Sequence, residues 1–191
     1  MTGGMRPAVV AQLGYRIRAA RQELDLSVAA LAERSDVSRR MLTQVELGQA
    51  NPSVSTLDRV AAGLGTTFAA LMGAGEGAAP DGIEVWSTEN GSWSVLLDAI
   101  DTEQLSVETW KWRLVGADER RGGSGVPSPG MMIHVIEGAL EVVIGTDVQV
   151  IEAGGSGRVV TDKEYVYRAR DGQGAVFTSV ALQSRAKGSA G

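Results

Sequence analysis

Residues 27–46 read SVAALAERSDVSRRMLTQVE, and the reading of this stretch decides the fold of the N-terminal third. Ser27 stands before the run 28–34 and Ser38 before the run 39–46, so each of two consecutive helices has a hydroxyl placed to cap its orphan N–H groups. Only Ser35, Asp36 and Val37 separate them. So short a turn makes the helices cross steeply, which calls for a small residue at the crossing. Ala32 supplies it, with Leu31, Val37, Leu42 and Val45 on the shared inner side. On the second helix Arg39, Arg40, Thr43 and Gln44 fall at i, i+1, i+4 and i+5, one outward stripe. Arginine bonds guanine bidentately and glutamine does so with adenine, each pair giving roughly 1–3 kcal/mol of discrimination between bases. The free N–H groups of capped helix ends suit phosphate, which adds Ser27 and Ser38 to the expected contact set. The alternative is a helical bundle used only for protein contacts.

Outward from this core, Leu13, Ile17, Ala20 and Leu24 upstream and Val54, Leu57, Val60 and Ala61 downstream keep helical spacing, predicting a helical domain over 12–72. Residues 73–82, GAGEGAAPDG, have four glycines, one proline and no apolar period, the composition of a linker. Beyond it the pattern changes to short runs rich in Val, Ile, Trp and Tyr at 83–86, 93–97, 105–114, 131–136, 140–144, 148–151, 164–168 and 175–182. Gly, Asp, Ser and Pro separate them. This predicts an all-β domain of eight or more strands over 83–184, hence an α+β chain in two domains. The tail 183–191 is small and polar and is expected to be poorly ordered.

The formal net charge is −5, which argues at first against a nucleic-acid partner, but the charge is unevenly divided. Residues 1–72 carry eight arginines against six acidic groups, and residues 73–191 carry ten basic against seventeen acidic groups. The chain has no cysteine and one histidine, His134, so disulfides and thiolate metal sites are excluded. No run approaches the ~18 apolar residues that cross a bilayer, and nothing resembles a cleavable leader, so no membrane partner and a cytoplasmic location are expected. Neither a phosphate-binding P-loop nor a nucleophile elbow is present.

Leu13-Gly14, Ile17-Arg18, Arg21, Leu26-Ser27, Leu31-Ala32, Val37-Ser38, Leu42, Val45-Glu46, Gly48, Pro52-Ser53, Leu57, Val60-Ala61, Leu64-Gly65 and Leu71 together resemble the Xre, or Cro/C1, five-helix domain of phage repressors. The resemblance implies base contacts from Arg39, Arg40, Thr43 and Gln44, phosphate contacts from Gln49 and Asn51, and an ion pair between Arg21 and Glu46. Two positions depart from the family. Asp36 stands where glycine is usual in the turn, and aspartate tolerates a left-handed backbone better than most residues. Val28 stands where a phosphate-contacting glutamine is common.

The run MMIHVIEG at 131–138, then ALEV, Gly145 and VIEAGG at 150–155, resembles the cupin family, whose double-stranded β-helix barrel is implied for the second domain. The family's metal ligands are absent: its glutamate position falls on Met131, two histidine positions fall within 124–127, and the third histidine falls near Tyr165. His134 is expected on the opposite side of its strand from Met131, hydrogen-bonded rather than ligating. No cofactor is expected. Trp110 and Trp112 share one strand face and Tyr165 and Tyr167 another. With Met131 they are candidates for a small-molecule pocket, or else core packing.

These expectations converge on a transcriptional regulator of the repressor type that binds double-stranded DNA at a palindromic operator as a homodimer, its barrel sensing a small organic effector. The alternatives are a cupin-class enzyme with a targeting helix-turn-helix, and a barrel that serves only for dimerisation.

Overall fold

The computed structural model describes residues 5–74, 81–102, 104–123, 129–160 and 163–184. Most of the expected linker (75–80), the segment 124–127 and the tail from 185 lie outside the described residues. The first helix, α1, runs Pro7–Glu23, starting earlier than the hydrophobic period suggests, with its proline in the first turn where a missing N–H costs nothing. It buries Val10, Leu13 and Ile17. A Cβ at Gly14 would lie 2.4 Å from the Val45 carbonyl oxygen, so this glycine is what lets α1 approach the third helix backbone to backbone.

Helices α2 (Val28–Arg34) and α3 (Arg39–Glu46) form the helix-turn-helix. The Ser27 hydroxyl accepts the Ala30 N–H at 3.0 Å and the Ser38 hydroxyl accepts the Met41 N–H at 3.1 Å, as N-caps do. Asp36 adopts φ 49°, and Arg59 of α4 (Val54–Gly63) donates to its carbonyl at 2.7 Å, pinning the turn from behind. Leu31, Leu42 and Val45 are fully buried, while Val37 is half-buried. Helix α5, Phe68–Met72, is capped by Thr67 and ended by left-handed Gly73.

Nine strands are found among the described residues: β1 Ile83–Ser87, β2 Trp93–Asp101, β3 Leu105–Leu114, β4 Glu119–Gly122, β5 Gly130–Ile144, β6 Asp147–Glu152, β7 Ser156–Val159, β8 Tyr165–Ala169 and β9 Ala175–Ser184. All pairings are antiparallel, in the order β1-β2-β3-β9-β5-β8-β4, with β6 and β7 also paired to β5. The sheet curls into a cupin-like barrel, giving the α+β two-domain layout. Two short strands, ERRG and SGRV, have too few apolar residues to announce themselves in the sequence.

The runs 131–136 and 140–144 are one continuous strand rather than two. The inward residues of β5 are Met131, Ile133 and Val135, then Leu140 and Val142, so the parity changes midway. The change is a bulge between Val135 and Glu137 against β9, with Gly138 at φ 72°. It lets β5 pair with β7 and β9 in its first half and with β6 and β8 in its second, turning the corner of the barrel.

The two domains share a packed seam. Phe68 of α5 stacks on Trp110 of β3 at 6.1 Å, Trp110 on Trp112 at 5.5 Å, and Trp112 on Phe177 at 5.9 Å, an aromatic ladder running from the helices into the barrel. Thr67 donates to Asp101 at 2.9 Å, and Arg6 pairs with Glu84 at 3.1 Å. Among the described residues no helix is long and apolar enough to cross a membrane.

Candidate nucleic-acid interface and interdomain cavity

One face of α3 is buried and the other is bare. Arg39, Arg40 and Thr43 are exposed and Gln44 half-buried, on a single side of the helix. The Thr43 hydroxyl donates back to the Arg39 carbonyl at 2.8 Å. The hydroxyls of Ser27 and Ser38 are engaged as caps at the ends of α2 and α3. Gln49 and Asn51 are exposed in the loop after α3, and the Asn51 side-chain oxygen accepts the Met5 N–H at 3.3 Å. Two arginines in the first turn of α3 oppose the helix macrodipole, a local cost that makes sense where an anion is to be met.

Behind this face, Arg21 of α1 grips Glu46 in a fork. Its Nε donates to Oε1 at 2.6 Å and Nη2 to Oε2 at 2.9 Å, while Nη1 donates to the Leu26 carbonyl at 2.8 Å. The two side chains are only 11% and 7% exposed. The pair fixes the C-terminal end of α3 to α1, so the polar face is presented at a defined angle.

The second feature is a cavity of about 270 Å³ between the mouth of the barrel and the N-terminal turn of α4. Trp110, Trp112, Met131 and Tyr165 line it, whereas Tyr167 lies behind, fully buried, its hydroxyl donating to the Met131 sulfur at 3.1 Å. The Trp112 indole N–H donates to Ser179 Oγ at 3.0 Å. The aromatic residues therefore both fill the core and wall a pocket.

Three charged residues of this cavity were not singled out from the sequence: Asp58 of α4, Glu108 of β3 and Arg120 of β4. Glu108 was legible, because the alternation of β3 puts Ser106, Glu108, Trp110 and Trp112 on one inward face, and a glutamate in that set is unusual. Glu108 is 4% exposed and accepts the Trp110 indole N–H at 3.0 Å. Burial, then the neighbouring Asp58 charge, push its carboxyl up to about 8 against the Trp110 hydrogen bond, and Asp101 adds to the rise. Burial alone lifts Asp58 to about 7. Burial lowers the Arg120 guanidinium, with Tyr165 and Tyr167 acting the other way. Asp58 and Arg120 carry no signal in the sequence, since only the seam brings them to the barrel mouth.

The cupin family implies a metal at this depth of the barrel, but the side chains here do not fit one. Its glutamate position holds the Met131 thioether, committed to Tyr167, and Tyr165 stands near a histidine position. Among the described residues no group of three or more His, Asp or Glu converges. His134 points outward and shares a hydrogen bond with Ser156 at 3.0 Å.

Residues 17–71 match the helix-turn-helix family model HTH_3. The chain is 43% identical over 61 residues to an immunity repressor protein of Bacillus phage phi105, spanning 32% of this chain and 42% of that protein. It is 26% identical over 158 residues to the HTH-type transcriptional regulator SutR of Escherichia coli (strain K12), spanning 82% of this chain and 86% of that protein. A solved HTH_3 family transcriptional regulator from Vibrio cholerae shares the fold at TM-score 0.60, with 23% identity over 92% of this chain and 97% of that one.

Proposed function

We propose that this chain, an Xre-type helix-turn-helix domain joined to a cupin-like barrel, is a DNA-binding transcriptional regulator whose barrel senses a small molecule. The observation that carries the reading is the polar face of α3, bare outside and clamped inside by Arg21 and Glu46. A helix so presented fits a major groove, with Arg39, Arg40 and Gln44 reaching base edges and the Thr43 methyl suited to a thymine methyl. The basic excess lies within residues 1–72 and the acidic excess within residues 73–191, so the helical domain is the part suited to phosphate. Operation as a dimer on a palindromic site fits the way such domains engage half-sites about one helical turn apart, and repression is the outcome that the resemblance to phage repressors suggests. Regulation is favoured over catalysis because Met131 and Tyr165 stand at or near positions where a cupin enzyme would need metal ligands.

Selection of bound duplexes from random oligonucleotides tests this. The wild type is expected to enrich an inverted repeat. Arg40→Ala and Gln44→Ala should each relax preference at one base pair of each half-site, by roughly 1–3 kcal/mol. An unchanged preferred sequence in both variants would remove α3 as the reading helix.

A further inference from the structure

The interdomain cavity holds ionisable groups of both signs that have no ionic partner among the described residues. On one wall, Glu108 is buried and bonded only to the Trp110 indole, and Asp58 is close enough to repel it. No cation pairs with either acid among the described residues. On another wall, the Arg120 guanidinium lies over the Trp86 ring at 6.0 Å and donates to the Arg121 carbonyl, but its Nε is buried with no hydrogen-bond partner and no carboxylate beside it. A buried ionised group is ordinarily paired, so ionising the acids calls for a cation on their wall and Arg120 calls for an anion on its own.

The acid of the sheet and the arginine come from different strands. Glu108 lies on β3 and Arg120 on β4, which stand four steps apart along the curled sheet. The Arg120 charge acts on Tyr165 and Tyr167, Glu108 responds to Asp58 and Asp101, and Asp58 also reaches Tyr165. Trp110, Trp112 and Met131 give the same cavity an apolar lining. Neither acid forms an ion pair with Arg120 among the described residues.

We propose that this cavity binds a zwitterionic amino acid, its ammonium between Asp58 and Glu108, its carboxylate on Arg120, and its carbon skeleton against Trp110 and Trp112. Such a ligand supplies both missing counter-ions at once, and one lacking either charge leaves a buried group unpaired. Because Asp58 belongs to α4, with Ser53, Val54 and Ser55 also on the cavity wall, the ligand ties the helix-turn-helix domain to the barrel. Arg59, the next residue of α4, holds the Asp36 turn of the helix pair, so a shift of α4 reaches α3 directly. Occupancy then sets the orientation of the reading helix.

The inference rests on the reading of the barrel as a sensor and is tested by binding alone, without DNA. Full-length protein is titrated by calorimetry, and its melting temperature followed, with each protein amino acid, β-alanine and γ-aminobutyrate. Each ligand found is compared with its decarboxylated amine and its deaminated acid. At least one amino acid is expected to bind and raise the melting temperature, with both analogues weaker by about tenfold or more. Glu108→Gln and Arg120→Gln should each weaken it by about tenfold or more, the first restoring relative preference for the deaminated acid and the second for the amine. Binding of amines alone, of acids alone, or of none of these compounds overturns the proposal. The comparison within the wild type stands even if a variant does not fold. DNA selection proceeds without effector, so a failed ligand screen leaves the DNA-binding reading intact, and a failed selection leaves the cavity result to stand by itself.

Discussion

At the scale of single residues, the fork between Arg21 and Glu46 is the clearest dependency in the helical domain. Arg21→Ala would leave a buried carboxylate and the Leu26 carbonyl without their donors, and breaking a buried pair from one side costs ~3–5 kcal/mol. Urea denaturation followed by helical signal should show that loss. Arg21→Lys should recover little of it, because an ammonium cannot reproduce a planar two-pronged contact. An unchanged midpoint in Arg21→Ala would mean the pair contributes nothing net. The residues of this domain were legible because they act at fixed offsets along local helices: Ser27 and Ser38 cap, Asp36 turns, Ala32 makes room. Asp58 and Arg120 were not, because nothing within several residues of either distinguishes it from an ordinary surface charge. Their environment is created by a neighbour far away in sequence.

At the scale of elements, β5 separates what periodicity can reveal from what it cannot. Alternation identified both halves of the strand, but Gly138 looked like a break between two strands, since a glycine after a polar residue marks a turn as readily as a bulge. Pairing with β9 on both sides of the bulge decides the matter, and that pairing is non-local. The glycine is required there: a Cβ would lie 2.0 Å from the Gly174 carbonyl oxygen, on a residue already at φ 72°. Gly138→Ala is expected to destabilise the barrel by about 1–3 kcal/mol, the scale of holding a non-glycine residue in a forbidden region. Tryptophan fluorescence during denaturation reports it, because Trp110 and Trp112 sit in the same barrel. A barrel as stable with alanine as with glycine would show that the strand can flatten its bulge without cost.

At the scale of the whole molecule, the helices and the barrel are coupled through the seam, and the acids trapped there give that coupling a pH dependence of unusual sign. In the unfolded chain both carboxyls titrate near 4. In the folded chain Asp58 is raised to about 7 and Glu108 to about 8. From about pH 4 to about pH 8 the folded state therefore holds more protons than the unfolded one, and stability must fall as pH rises across that window. The groups that face Glu108 are Asp58 from α4, Asp101 from β2 and the Trp110 indole from its own strand. Two are acids, so ionisation meets repulsion from both domains. Denaturation midpoints at pH 5, 6, 7 and 8 should decline for the wild type, and Glu108→Gln, which stays neutral throughout, should lose about half of the slope, because burial still raises Asp58. Asp58→Asn should reduce it as well, by removing its own raised carboxyl and the charge that repels Glu108. A wild-type slope of zero or of opposite sign across this range would place both carboxylates in water, and the seam that brings α4 to the barrel mouth would then be open in solution. With a cation bound between the two acids the slope should flatten, because the ionised pair becomes the better partner as protons leave.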